Sequence, residues 1–339
     1  MSDVSAPSAA PPPPVGKTNA TLNPGTADLL LVVLLGVFWG SAFPVIRAGI
    51  VAGAPPLLFA SVRYLLTALA LVPIALLLKA PRPTRTELLP AVAFGGLLMI
   101  AGYGALLYIG EASVSGGFAA VLTASAPLAS ALIGYRLLPS ERFGGPGVAG
   151  LLIGFAGVAV LALPGAATPA GRGLIGPLLV FAAVMAFASG SVLLRRTTSS
   201  ATTFWTLSVQ FAVAGVAVGL LGVGSGESLT LGAPMTAATT LAFLVVVPGV
   251  VGYSLYFRIH HSSGPTRANL VGYVNPVTGL LVGLLIFGEA VTEVELAGLA
   301  LIALGLFLLQ RDRRRSPPTQ GAGPSVPPPP PEATRVRPS

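Results

Sequence analysis

The sequence predicts an all-α membrane protein: ten transmembrane helices, built as two inverted five-helix repeats, between disordered N- and C-terminal tails. Three observations carry that expectation. Of 339 residues, 53% are hydrophobic and only 9% are charged, against about a quarter charged in a soluble chain. Apolar stretches near the length a bilayer requires recur along the whole chain. The two halves of that apolar region also match each other at a nearly constant offset.

Taken in order, residues 1–26 form a tail rich in proline, alanine and serine, a composition that buries too little apolar surface to fold. Charged residues then divide the chain into spans at 29–48, 55–78, 88–110, 113–136, 146–166, 173–194, 201–223, 237–258, 266–287 and 292–310. The first is read as a retained span and not as a signal peptide, because no compact basic segment precedes it. The last is the shortest: its charge-free core, 296–310, reaches about 22 Å at about 1.5 Å per residue. It therefore needs Glu293 and Glu295 in its first turn at the interface, where acids suit the positive end of the helix dipole. The expected division is tail 1–26, repeat 27–166, repeat 171–310 and a proline- and arginine-rich tail 311–339.

Charge placement orients the bundle. With the amino terminus in the cytoplasm, sixteen of the 19 Lys and Arg fall on that side; Arg47 and Arg172 fall outside, and Arg63 lies within the second span. Glu111, Glu227, Glu289, Glu293 and Glu295 mark the outer connections. This is the positive-inside pattern of a multi-pass cell-membrane protein of bacterial inner-membrane type, and it places both termini in the cytoplasm. The net charge of +8 thus reads as topology, and no nucleic-acid partner is expected. The absence of cysteine excludes disulfides and thiolate sites, and the adjacent His260 and His261 are too few for a metal cage. With no metal-binding helix motif, nucleophile elbow or mid-span carboxylate pair, neither an enzyme nor a cofactor is expected.

The internal match is specific in several places. Ala149-Gly150-Leu151 aligns with Ala297-Gly298-Leu299 at an offset of 148, Glu141 with Glu289 at 148, Pro127 with Pro276 at 149, and Trp39-Gly40-Ser41 with Ser189-Gly190-Ser191 at 150. Five spans is an odd number, so the second repeat must enter the membrane upside down relative to the first. Inverted repeats let two pseudo-equivalent halves open one central site alternately to each side, the design of secondary transporters. The partners implied are a lipid bilayer and a small-molecule substrate; the oligomeric state is not legible.

These residues resemble the drug/metabolite transporter superfamily, in particular its EamA-type members. Trp39-Gly40-Ser41-Ala42-Phe43 is similar to the family's opening motif, and Arg63 sits early in the second apolar helix as is familiar there. Ala124-Ser125-Ala126-Pro127 with Pro139-Ser140-Glu141, and Asn275-Pro276 with Gly288-Glu289, resemble the proline-to-glutamate stretches of the fourth and ninth family helices. Ala290 departs from the pattern, standing where a basic residue is common. The resemblance implies an exporter of small metabolites such as amino acids or related compounds. The alternative is a non-transporting scaffold or sensor that works through its proline-rich tails.

Candidate cavity residues follow from chemistry that an apolar span does not otherwise need. Arg63 costs at least about 2.5–3.5 kcal/mol to insert, so it requires a partner, water or a substrate carboxylate. Pro127 and Pro276 free backbone carbonyls at matching places, with Asn275 beside the second. Trp39, Ser41 and Ser189 lie at the matched positions of the first and sixth spans. Tyr103 and Tyr253 match at an offset of 150, Tyr273 and Asn269 lie in the ninth span, and Tyr108 and Tyr256 read as nearer the interface. Gln210 is left as an amide without an assigned role. Glu141 and Glu289, just past helix ends, are read as structural caps or as coupling groups, and no other carboxylate is expected to lie deep.

Overall fold

The computed structural model describes residues 24–137, 143–166, 173–197, 203–228, 232–259 and 270–315. Glu141, Arg142, Arg172, His260, His261, Asn269 and the greater part of both tails lie outside it. Among the described residues there is no strand, and nine helices are long and apolar enough to cross a bilayer. They are α1 (Leu29–Val51), α2 (Pro56–Leu77), α3 (Arg85–Glu111), α4 (Gly116–Leu137), α5 (Gly145–Pro164), α6 (Ile175–Thr197), α7 (Phe204–Gly224), α8 (Pro234–Ile259) and α10 (Glu293–Asp312). A shorter apolar helix, α9 (Val271–Phe287), lies between α8 and α10.

Local chemistry sets the helix ends. Ser115 caps α4 by accepting from the Phe118 N–H, and Thr203 caps α7 through the Thr206 N–H. Gly288, with φ of 66°, ends α9 in the left-handed conformation that a residue without a Cβ adopts at little cost. At the start of α10, the Thr292 N–H donates to Glu295 at 2.8 Å and the Glu295 N–H donates to the Thr292 hydroxyl at 3.2 Å, a reciprocal capping box. This last helix is not the short one the sequence predicts. It continues to Arg315, and Asp312 near its end accepts the Gly144 N–H at 2.8 Å, docking it on the start of α5.

The surface is apolar and the interior partly polar, the reverse of a soluble protein. Leu69, Leu77, Leu152, Leu220 and Leu285 point outward, while Ser61, Thr67, Ser208 and Gln210 are buried. Without water to drive association, such helices depend on close contact at small residues. Along α5 and α10, a methyl at Gly150 would stand 2.6 Å from the Gly305 carbonyl and one at Gly157 2.8 Å from the Gly298 carbonyl. Only glycine permits that approach.

The neighbour pattern is symmetric between the halves. The pairs α5 with α10, α2 with α7, and α4 with α9 are each preserved when one repeat is exchanged for the other, and α1 on α9 corresponds to α6 on α4. Irregularities follow the same symmetry in part. α3 carries a π-helical stretch at Ala91–Gly102 and α8 one at Val245–Val251, each placed before the matched Tyr103 or Tyr253. Such widened turns are rare and gather at functional sites. α1 steps at Ser41, where Pro44 deprives the Gly40 carbonyl of its helical donor, and α4 steps at Ala124–Ser125, ahead of Pro127. α9 does not match them. It runs unbroken through Pro276, so of the two matched prolines only Pro127 follows a break in its helix.

Candidate functional site

Arg63 is the side chain that needs explaining, and its surroundings supply the answer. Its guanidinium donates to the Tyr108 hydroxyl at 2.8 Å and stands 5.7 Å from the centre of the Tyr64 ring. The two contacts combine a hydrogen bond with a cation–π attraction, which stabilise a cation to which no carboxylate among the described residues bonds. Tyr108, read from sequence as an interface tyrosine, is in fact fully buried. It lies five residues after Tyr103 on the regular α-helical segment that follows the π-helical stretch.

Rings extend from this point in an unbroken series. Tyr64 contacts Phe211 at 5.7 Å, Phe211 contacts Tyr253 at 5.4 Å, and Tyr253 contacts Trp39 at 5.4 Å. Trp39 is fixed in turn by donating its indole N–H to the Pro248 carbonyl at 3.0 Å, inside the π-helical stretch of α8. Elements from both repeats, α1, α2 and α3 with α7 and α8, therefore meet around one partly buried cation. Of the sequence candidates, Trp39, Arg63 and Tyr253 converge here. Arg63, Trp39, Tyr103 and Tyr253 are each only partly buried, so the cluster is not sealed.

The other candidates disperse. Ser41 is buried and donates to the Phe38 carbonyl of its own helix at 3.0 Å. The Asn275 amide nitrogen, in the orientation that satisfies its surroundings, donates to Val271 at 3.1 Å and across to the Gly36 carbonyl of α1 at 3.2 Å. It is a tie between α9 and α1. Tyr103 meets Phe187 of α6 at 5.6 Å, and Ser189 is half-buried two residues further along α6. Tyr273 and Pro276 line a separate, largely apolar cleft of about 330 Å³ between α4, α9 and α10. Pro127 faces outward.

At the acidic end of the bundle, Glu289 stretches from the end of α9 and accepts the Gly116 and Gly117 N–H groups of α4, both at 2.9 Å. Glu227, beyond α7, does the same for the Leu57 and Leu58 N–H groups of α2, at 3.1 and 2.8 Å. Each carboxylate of one repeat thus caps a helix of the other, where free donors and the helix dipole favour an anion. Among the described residues, two buried side chains have no such satisfaction. Glu111 and Gln210 are both fully buried, and neither carboxylate oxygen of Glu111 nor either amide atom of Gln210 has a hydrogen-bond partner. The sequence reading placed Glu111 in an outer connection and assigned Gln210 no role.

The fold and site have counterparts. The profile of the EamA-like transporter family matches this chain twice, over residues 27–163 and 174–311. The chain belongs to that family. Its two matched segments are the two symmetric halves described above, so this EamA-like transporter is a multi-pass membrane protein built from a duplicated unit. An inner membrane transporter of Escherichia coli K12, YedA, whose role is uncharacterized, is 29% identical over 81% of this chain and 88% of its own length. A protein of Streptantibioticus cattleyicolor named as a "probable terminal-alkyne amino-acid exporter" is 29% identical over 86% of this chain and 96% of its own. One crystal structure superposes with a TM-score of 0.57 at 19% identity, covering 85% of this chain and 98% of the other, which supports the fold alone.

Proposed function

We propose that this EamA-like transporter is a secondary carrier that exports small carboxylate-bearing metabolites, amino acids or close relatives, by alternating access. The observation that carries the proposal is Arg63. A guanidinium held inside the bundle by one hydroxyl and one ring keeps donors unspent, and it lies where elements of both repeats meet. A substrate carboxylate would complete it with paired charge-assisted hydrogen bonds, and the rings of Trp39, Tyr103 and Tyr253 offer a wall for an apolar side chain. The relative named as an amino-acid exporter favours the same cargo class. In this proposal ten helices cross the membrane, both termini are cytoplasmic, and the Glu227 and Glu289 caps hold the acidic end, the outer one, closed.

Counterflow tests it. Proteoliposomes carrying the full chain and loaded with single unlabelled L-amino acids are expected to take up the matching labelled compound faster than protein-free liposomes. No counterflow with any of the twenty, nor with their N-acetyl or hydroxy-acid analogues, would sink the proposed cargo class.

A further inference from the structure

Glu111 is set apart from every other buried acid in the described residues. Glu295 is satisfied by the Thr292 N–H at 2.8 Å and the Ser115 hydroxyl at 3.3 Å, and Asp312 by the Gly144 N–H. The half-buried Glu289 spends both oxygens on α4. Glu111 has no exposed surface and no partner for either oxygen. Its enclosure is made by neighbours that bypass the carboxylate. Arg47 of α1 donates to the Glu111 backbone carbonyl, and Gly176 of α6 packs against Ser113 just beyond it. The charged and titratable groups that face it are Arg47 from α1, Arg63 from α2 and Glu289 from the end of α9, with Tyr103 and Tyr108 on its own helix.

A carboxylate with neither water nor a donor is costly as an anion, and it is completed by a cation. The enclosure decides which one. With no accessible surface at the group there is no room for an ammonium or a metal ion with its waters, and no group of three or more metal-binding side chains occurs among the described residues. A proton needs no room. We propose that Glu111 carries the coupling proton of the transport cycle, binding it when the acidic end is open and holding it when that end closes. The chemistry is one O–H bond formed and broken, with water on the open side as source and sink. Linkage to cargo runs through Arg63, which is bonded to Tyr108 three residues before Glu111 on α3. Loss of the proton leaves an anion that competes with a substrate carboxylate for one guanidinium, so protonated Glu111 is the form that leaves Arg63 free for cargo.

The proposal rests on the transport reading above, and two measurements separate them. Infrared difference spectra of the purified full chain across pH need no substrate. A protonated-carboxyl band that shifts in D₂O is expected in the wild type, retained in Glu111→Asp and lost in Glu111→Gln; a band unchanged in Glu111→Gln overturns the proposal. In proteoliposomes with the membrane potential clamped, an imposed pH gradient is expected to drive accumulation of whichever L-amino acid shows counterflow, by about tenfold per pH unit for one proton moved per substrate. Glu111→Gln is expected to keep counterflow and lose that accumulation. Accumulation equal in both proteins overturns the role of Glu111. Absence of counterflow in both counts against the cargo class, while the infrared result still decides Glu111.

Discussion

At the scale of single residues, the bundle holds a cation that no acid among the described residues bonds. Arg63 holds its place through the Tyr108 hydroxyl and the Tyr64 ring, and both contacts discriminate among substitutions. Lysine preserves the charge but loses the planar fork that can bind a carboxylate through two hydrogen bonds at once. Each such charge-assisted bond is worth about 1.5–3 kcal/mol. Arg63→Lys is therefore expected to slow amino-acid counterflow by about tenfold or more, with membrane abundance unchanged. An equal rate in the variant would remove Arg63 from cargo binding. Arg63 was legible in the sequence because charge in an apolar span is conspicuous. Its partners were not, because tyrosines occur at interfaces as well as in interiors, and hydropathy does not say which of them meets the guanidinium.

At the scale of elements, the spans were readable from apolar length and the positions of charge, and the structure places an apolar helix at each expected segment. The same rule misled at Glu111. A charged residue was taken to end a span and to face water, yet α6 folds over the end of α3 and closes it in. Pairing of prolines was half-legible too, since α4 steps ahead of Pro127 while α9 passes through Pro276. The caps that bridge the repeats were only partly visible, because a glutamate after a helix does not announce whose amides it will meet. Glu289 accepts two N–H groups of α4, so Glu289→Ala would leave both donors unsatisfied at a closed seam, at about 1–3 kcal/mol. The expected result is a lower unfolding temperature in detergent and easier labelling, from the acidic side, of a cysteine placed at Ser115. Glu289→Gln, which retains one acceptor, should fall between the two. Unchanged labelling in Glu289→Ala would mean that this cap does not hold the acidic end shut.

At the scale of the whole molecule, charge asymmetry and the duplicated unit lead to one testable topology. Arg82, Arg85, Arg136, Arg195, Arg196 and Arg258 gather at the end of the bundle where α10 finishes in Arg311 and its following arginines, while Glu111, Glu227, Glu289 and Glu295 gather at the other. Two sides of opposite sign are what insertion under the positive-inside rule leaves behind. If all ten apolar helices span, the start of α1 and the end of α10 share the basic side, and a five-helix unit repeated once must be inverted. α9 is the helix on which that count turns, because its described length of 17 residues is the shortest. Reporters fused after Leu78 and after Arg315 are both expected to signal cytoplasm, and one inserted in the connection after Gly288 to signal the outer side. A cytoplasmic signal after Gly288 would mean that α9 does not cross. The repeats would then contribute unequal numbers of spans, and alternation between two mirror-like states would lose its structural basis.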